Sequence, residues 1–147
     1  MWVTLYADAS FSPKDGGGWG VWIRSERGRI VQRGKCPPYV LSSGAAELCA
    51  IYVGVHLALR AWGAEVRGVF VRSDSQEALL CAMPTAPLAR NDAMRRLQRR
   101  LRALLGSGVE LHTRWVKGHQ GAARGTAAYL NTAVDRLARR GRKEQRS

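Results

Sequence analysis

The residues best suited to chemistry in this chain are four carboxylates and one imidazole. From Trp115 the sequence reads Trp-Val-Lys-Gly-His-Gln-Gly, so a strand-like run ends in a glycine-flanked His119. A helix-like run then carries Asn131 and Asp135, four residues apart and therefore on one helical face. A titratable His on a loop beside a helix-borne acid is half of an active site. Asp8 and Asp74 each close a strand-like run, and Glu47 falls near the start of a helical one. Each acid has a plain structural alternative. Asp8 could be a turn residue, Asp74 a helix cap, Glu47 an acid in a first turn favoured by the helix dipole, and Asp135 a solvated helix residue. Four carboxylates brought together cannot all stay ionised without a counter-charge. Oxygen-only ligands suit Mg²⁺ or Mn²⁺. Two such ions can activate a water and stabilise the leaving oxygen in phosphodiester hydrolysis.

The pattern around these residues indicates how they are positioned. Residues 2–8 alternate as a strand, with Val3, Leu5 and Ala7 on one face and Trp2, Thr4, Tyr6 and Asp8 on the other. A Pro/Gly-rich turn follows, then a hairpin over 18–24 and 29–35. Ser42, Ser43 and Gly44 offer caps for a helix whose apolar stripe is Leu48, Ile51, Tyr52, Val55, Leu59 and Trp62, ended by Gly63. A strand over 66–73 leads to Asp74 and a short helix over 75–83. A longer helix starts near Asn91, with Met94, Leu97, Leu101, Leu104 and Leu105 inward and Arg95, Arg96, Arg99 and Arg102 outward. A last strand (109–116) and a last helix (125–140) complete the chain, before a basic, frayed tail at 141–147. The first three strands have hairpin-length links and should be antiparallel. The last two follow helical crossovers and should run parallel to the first. The expected fold is α/β, one mixed five-stranded sheet in the order 3-2-1-4-5 flanked by helices. Strands one and four then end side by side, bringing Asp8 and Asp74 to the carboxyl edge where open α/β sheets bind ligands.

Composition narrows the partner. At 147 residues the chain suits a single domain. Its formal charge is +13, and most of its 24 cationic residues are arginines, which suit bidentate phosphate contacts. A basic domain of this size is expected to meet nucleic acid before an anionic membrane. Cys36, Cys49 and Cys81 lack metal-ligand spacing and read as free thiols. No apolar run reads as a membrane span and no signal-peptide pattern is visible, so a reducing, cytoplasmic setting is expected.

Five segments in order resemble a type 1 ribonuclease H over nearly the whole chain. They are Asp8-Ala9-Ser10 with the Gly-rich turn, Ala46 to Ile51 around Glu47, Ser73-Asp74-Ser75-Gln76, Trp115 to Gly121, and Asn131 through Asp135 to Ala138. The resemblance implies a ribonuclease H-like fold in one domain, 1–140. It implies cleavage of the RNA strand of an RNA–DNA hybrid by a two-metal mechanism, leaving 3′-hydroxyl and 5′-phosphate ends. Asp8 would bridge two Mg²⁺ ions (or Mn²⁺), Glu47 and Asp74 would complete one site, and Asp135 would hold the other. His119 would help product or metal leave, so its removal should slow turnover without abolishing it. Lys14, Ser42, Ser43, Gln76 and Asn131 would contact the substrate or support the site's edge, Gln76 from the minor groove. A monomer is expected.

The chain also departs from this pattern. Ser43-Gly44 stands where the family often has two asparagines. Met83 to Ala86 lacks the family's DNA-packing aromatic, and the basic protrusion of some members is missing, as in retroviral domains. These departures bear on hybrid affinity rather than on catalysis. The Arg95–Arg102 face would either replace the missing grip or simply be solvated. The other readings are a nuclease of the same fold acting on duplex RNA or branched DNA, and a non-catalytic nucleic-acid-binding module. Retention of all four acids argues against the second. Trp19, Trp22, Trp62 and Trp115 are expected in the core, His112 in packing, and Trp2 in either setting.

Overall fold

The computed structural model describes residues 1–106, 108–117 and 126–144, with only the backbone for 126–132. The strands are β1 (Trp2–Ser12), β2 (Gly16–Ser25), β3 (Gly28–Lys35), β4 (Gly68–Ser73) and β5 (Glu110–Trp115). The α-helices are α1 (Ser43–Trp62), α2 (Gln76–Ala82), α3 (Asp92–Leu105) and α4 (Thr126–Lys143). One sheet runs in the order β3-β2-β1-β4-β5. β1, β2 and β3 pair antiparallel, and β4 and β5 add parallel to β1. This is the order expected from the link lengths.

Alternation decides which face of the sheet is dry. Val3, Leu5 and Ala7 of β1, Val21 and Ile23 of β2, and Val69 and Val71 of β4 are buried against α1 and α3. Each Val, Leu and Ile among them contributes about 1.5–3 kcal/mol by leaving water. Small residues let α1 lie close: a Cβ at Gly54 would sit 2.4 Å from Leu5 Cδ1. Ser42 caps α1 by accepting from the Ala45 N–H, and Gly63, at φ +49°, ends it. α3 is held by a buried amide. Gln98 accepts from the Ala89 N–H at 2.7 Å and donates to the carbonyls of Cys81 and Pro87, fastening the segment between α2 and α3.

Several expectations need correction. β1 runs on to Ser12, because its last four residues continue the ladder with β2 beyond the end of β4. Asp8 is therefore within a strand rather than at its end. Glu47 lies beyond the first turn of α1, which holds no acid. Asp74 is not a cap, since Ser75 caps α2 by accepting from Ala78 N–H. α4 extends to Lys143, so the tail begins later than expected. Arg142 reaches Ser10, and Lys35 Nζ donates to the Arg142 carbonyl at 2.8 Å. Trp115 is 48% exposed rather than core; His112 packs against Trp2 and Phe70 as expected, with Glu110 beside it. By length and composition alone Ser43–Glu65 could cross a membrane, but half of it is buried as the central helix of this fold. Arg95 and Arg102 do not project freely: they bond to Asp92 and to carbonyls of 86–90.

Candidate active site

The site is built where β1 outruns β4. The parallel ladder ends at Tyr6 and Arg72, so Asp8 and Asp74 emerge two residues later at the same edge. The Asp74 turn is clamped from three directions. Ser75 N–H donates to Ser73 Oγ at 3.1 Å, Val116 N–H to the Ser73 carbonyl at 2.8 Å, and Trp115 Nε1 to the Asp74 carbonyl at 3.1 Å. Glu47 points in from α1. One carboxylate oxygen from each of Asp8, Glu47 and Asp74 lies within 4.8 Å of the others.

Burial sets the electrostatics. Asp8 is 2% exposed. Its pKa is pushed up to about 11, first by desolvation, then by the charges of Glu47 and Asp74. The Ala9 N–H, which donates to Asp8 Oδ1 at 2.9 Å, opposes the shift without overcoming it. Glu47 is raised to about 8, again by desolvation first and Asp74 second. Asp8 Oδ2 and Glu47 Oε2 are buried and lack a hydrogen-bond partner. Orphaned carboxylate oxygens, an all-oxygen donor set and crowded negative charge fit a hard divalent cation.

Asp135 reaches this group by a different device. α4 lies almost backbone to backbone on β2. A Cβ at Gly20 would sit 2.5 Å from the Val134 carbonyl, and one at Gly18 would sit 1.9 Å from Arg142 N. Gly20 is the register partner of Asp8, so this contact brings the Asp135 turn of the helix alongside Asp8. Asp135 is close enough to raise the pKa of both Asp8 and Glu47, yet stands outside the compact triad. Arg139 lies 3.3 Å from its Oδ2.

Other expected site residues divide by position. Ser42, Ser43 and Gly44 line a groove that continues from Glu47 and Asp74 to Glu77 and Asn91. Gln76 begins α2, exposed beside that groove, and Lys14 is exposed in the β1–β2 turn. Ser42 Oγ accepts from Ala45 N–H at 3.2 Å, leaving its own proton to donate. His119 lies outside the described residues, as does the side chain of Asn131. The sequence reading missed Glu77, whose Oε1 occupies the space a Cβ on Gly44 would fill, 2.5 Å away. It also missed Gly20, although a lone glycine between Trp19 and Val21 in a strand is a known sign of close backbone approach.

A carboxylate triad at this edge of such a sheet has the all-oxygen donor set of a divalent-metal site. The sequence model of RNase H matches residues 2–143. This chain belongs to the RNase H family, whose enzymes hydrolyse the RNA strand of RNA–DNA hybrids. Solved structures share the fold. RNase H1 of the halophilic archaeon Halobacterium salinarum superposes with a TM-score of 0.69 at 21% identity, over 96% of this chain and 97% of that one. The N-terminal RNase H domain of a Mycobacterium tuberculosis protein gives 0.68 at 19%, over 97% and 94%. LC11-RNase H1, solved in complex with an RNA/DNA hybrid, gives 0.64 at 17%, over 92% of each chain. No curated protein sequence matched.

Proposed function

We propose that this chain cleaves the RNA strand of RNA–DNA hybrids using two divalent cations, leaving 3′-hydroxyl and 5′-phosphate ends. The observation that carries the reading is the compact triad of buried Asp8 with half-buried Glu47 and Asp74, with two orphaned oxygens and Asp135 acting on it electrostatically. Asp8 would serve both ions, Glu47 and Asp74 one, and Asp135 the other. Bound there, Mg²⁺ or Mn²⁺ would supply an activated water and neutralise charge at the leaving oxygen. The chain's own work is placement. Ala9 N–H fixes the Asp8 carboxylate, the Ser73–Ser75 turn fixes Asp74, and the glycine contact sets the height of Asp135. Ser42, with its hydroxyl proton free, and Lys14 suit the DNA strand's phosphate. Ser43 and Gln76 suit the minor groove, where RNA is told apart by its 2′-hydroxyl. Asn131 is assigned to supporting the site's edge and His119 to product or metal release. The free, mostly buried cysteines support a reducing, cytoplasmic setting, and the protein is taken to act as a monomer.

The test is cleavage of a labelled hybrid with Mg²⁺ and with Mn²⁺, alongside duplex RNA, branched DNA and single strands. RNA-strand cuts confined to the hybrid, and reduced about a hundred- to a thousandfold in Asp8→Asn, are the expected result, the loss from removing a key electrostatic group. Salt-sensitive binding with no cleavage under either metal would instead make the chain a binding module.

A further inference from the structure

The face of the sheet opposite α1 and α3 is only partly covered. α4 packs chiefly on β1, β2 and β3. Among the described residues no element covers this face over β4 and β5, and register shows what it carries. One row across all five strands reads Arg29, Arg24, Thr4, Phe70 and His112. The next reads Val31, Trp22, Tyr6, Arg72 and Arg114. Trp2 lies one row further out, flat over Gly68, where a Cβ would come within 2.2 Å of its ring.

Three of these rings form one exposed cluster. Trp2 stacks on Phe70 with centroids 4.6 Å apart, and His112 meets Trp2 edge-on at 5.1 Å. Trp2 and Phe70 remain 37% and 40% exposed. Around them Arg24, Arg29 and Arg114 are exposed, and Arg72 lies over the Tyr6 ring at 5.5 Å. Among the described residues none of these four arginines has a carboxylate within salt-bridge distance; Glu26 lines the hollow shared by Arg24 and Arg29 without pairing to them, and Glu110 is paired with His112. The Arg24-to-His112 row crosses three strand spacings, roughly 14 Å.

We propose that this face is a second nucleic-acid surface that binds a single strand, its bases stacking on Phe70, Trp2 and His112 and its phosphates meeting Arg24, Arg72 and Arg114. Unpaired arginines interleaved with rings on a flat sheet complement a flexible polyanion whose bases are already unstacked. A duplex keeps its bases internal and would leave the rings unused. Thr4 and Asp8 share strand β1, about 13 Å apart at strand rise. The surface could thus hold a single-stranded extension of the nucleic acid at the catalytic edge. This reading does not depend on hybrid cleavage, because its readout is binding.

The experiment is fluorescence anisotropy of labelled 12-mers of U and of dT with the full chain. Phe70→Leu keeps bulk and loses the ring, so it should weaken binding about tenfold. Arg114→Gln should lower affinity and reduce the salt slope by about one. Both variants should keep the wild-type melting temperature and cleave a blunt hybrid at the wild-type rate. Binding of U and dT alike would place recognition on base and phosphate, and a preference for one would assign the sugar; either supports the proposal. Wild-type affinity in both variants would overturn it. So would self-association lost in Phe70→Leu without single-strand binding, which would give the face to a second copy.

Discussion

Asp8 holds its proton far above the ordinary carboxyl range, and that has a consequence for stability. Its pKa rises from 3.8 to about 11 on folding, and that of Glu47 from 4.5 to about 8. The folded chain therefore binds protons that the unfolded chain has released. Stability from these two groups is fully present below about pH 4 and falls as pH rises through both folded values. The metal-free protein should melt at a lower temperature at pH 9 than at pH 6, and millimolar Mg²⁺ or Mn²⁺ should restore most of the difference. Asp8→Asn should flatten the pH dependence and raise the metal-free melting temperature while abolishing cleavage. Scanning calorimetry with and without chelator would check this. A wild-type slope in Asp8→Asn would mean that other groups control it.

The element that most determines the site's geometry is the contact of α4 with β2. Gly18 and Gly20 face helix backbone, and Gly141 faces the Gly34 carbonyl, where a Cβ would lie at 2.2 Å. Salt bridges from Arg33 to Glu144 at 2.7 Å and from Arg142 to Asp15 at 3.8 Å tie the same helix end to the hairpin. These exposed or partly exposed pairs add little energy by themselves. The steric fit is the stronger constraint. Gly20→Ala should cost about 1–3 kcal/mol in urea denaturation, through overpacking against backbone that cannot yield. It should also cut the hybrid cleavage rate about ten- to hundredfold, because it pushes Asp135 away from Asp8. Arg33→Ala, by contrast, should change neither appreciably.

Across the whole molecule, charge decides how substrate is held. The +13 charge is spread over several faces, so not every arginine serves the same surface. On α3, Arg95 and Arg102 fasten the α2–α3 segment, and Arg96 lies over the Tyr39 ring at 4.3 Å. Arg96, Arg99 and Arg100 stay exposed. Reversing those three should weaken hybrid binding and flatten its log–log salt dependence by about 0.9 for each lost phosphate contact. An unchanged slope in anisotropy titrations from low to physiological salt would show the helix face to be merely solvated. Arg95→Glu should act differently, lowering stability more than binding, because its partners are within the protein.

The sequence by itself determined the elements, their order and the expectation that four acids converge. Those follow from local causes: alternation, helical spacing, link length and a handful of short motifs. Ser42 and Gly63 bounded α1 because capping depends on a few neighbouring atoms. What only the tertiary structure decided are the quantities that depend on distant chain segments. Glu47 proved to be a half-buried, crowded acid rather than a dipole-stabilised helix start, because its surroundings come from β1 and the β4–α2 turn. Trp115 turned outward with its Nε1 on the Asp74 carbonyl, a partner from a distant turn. The open aromatic and arginine face needed the register of five strands at once, which no local pattern encodes.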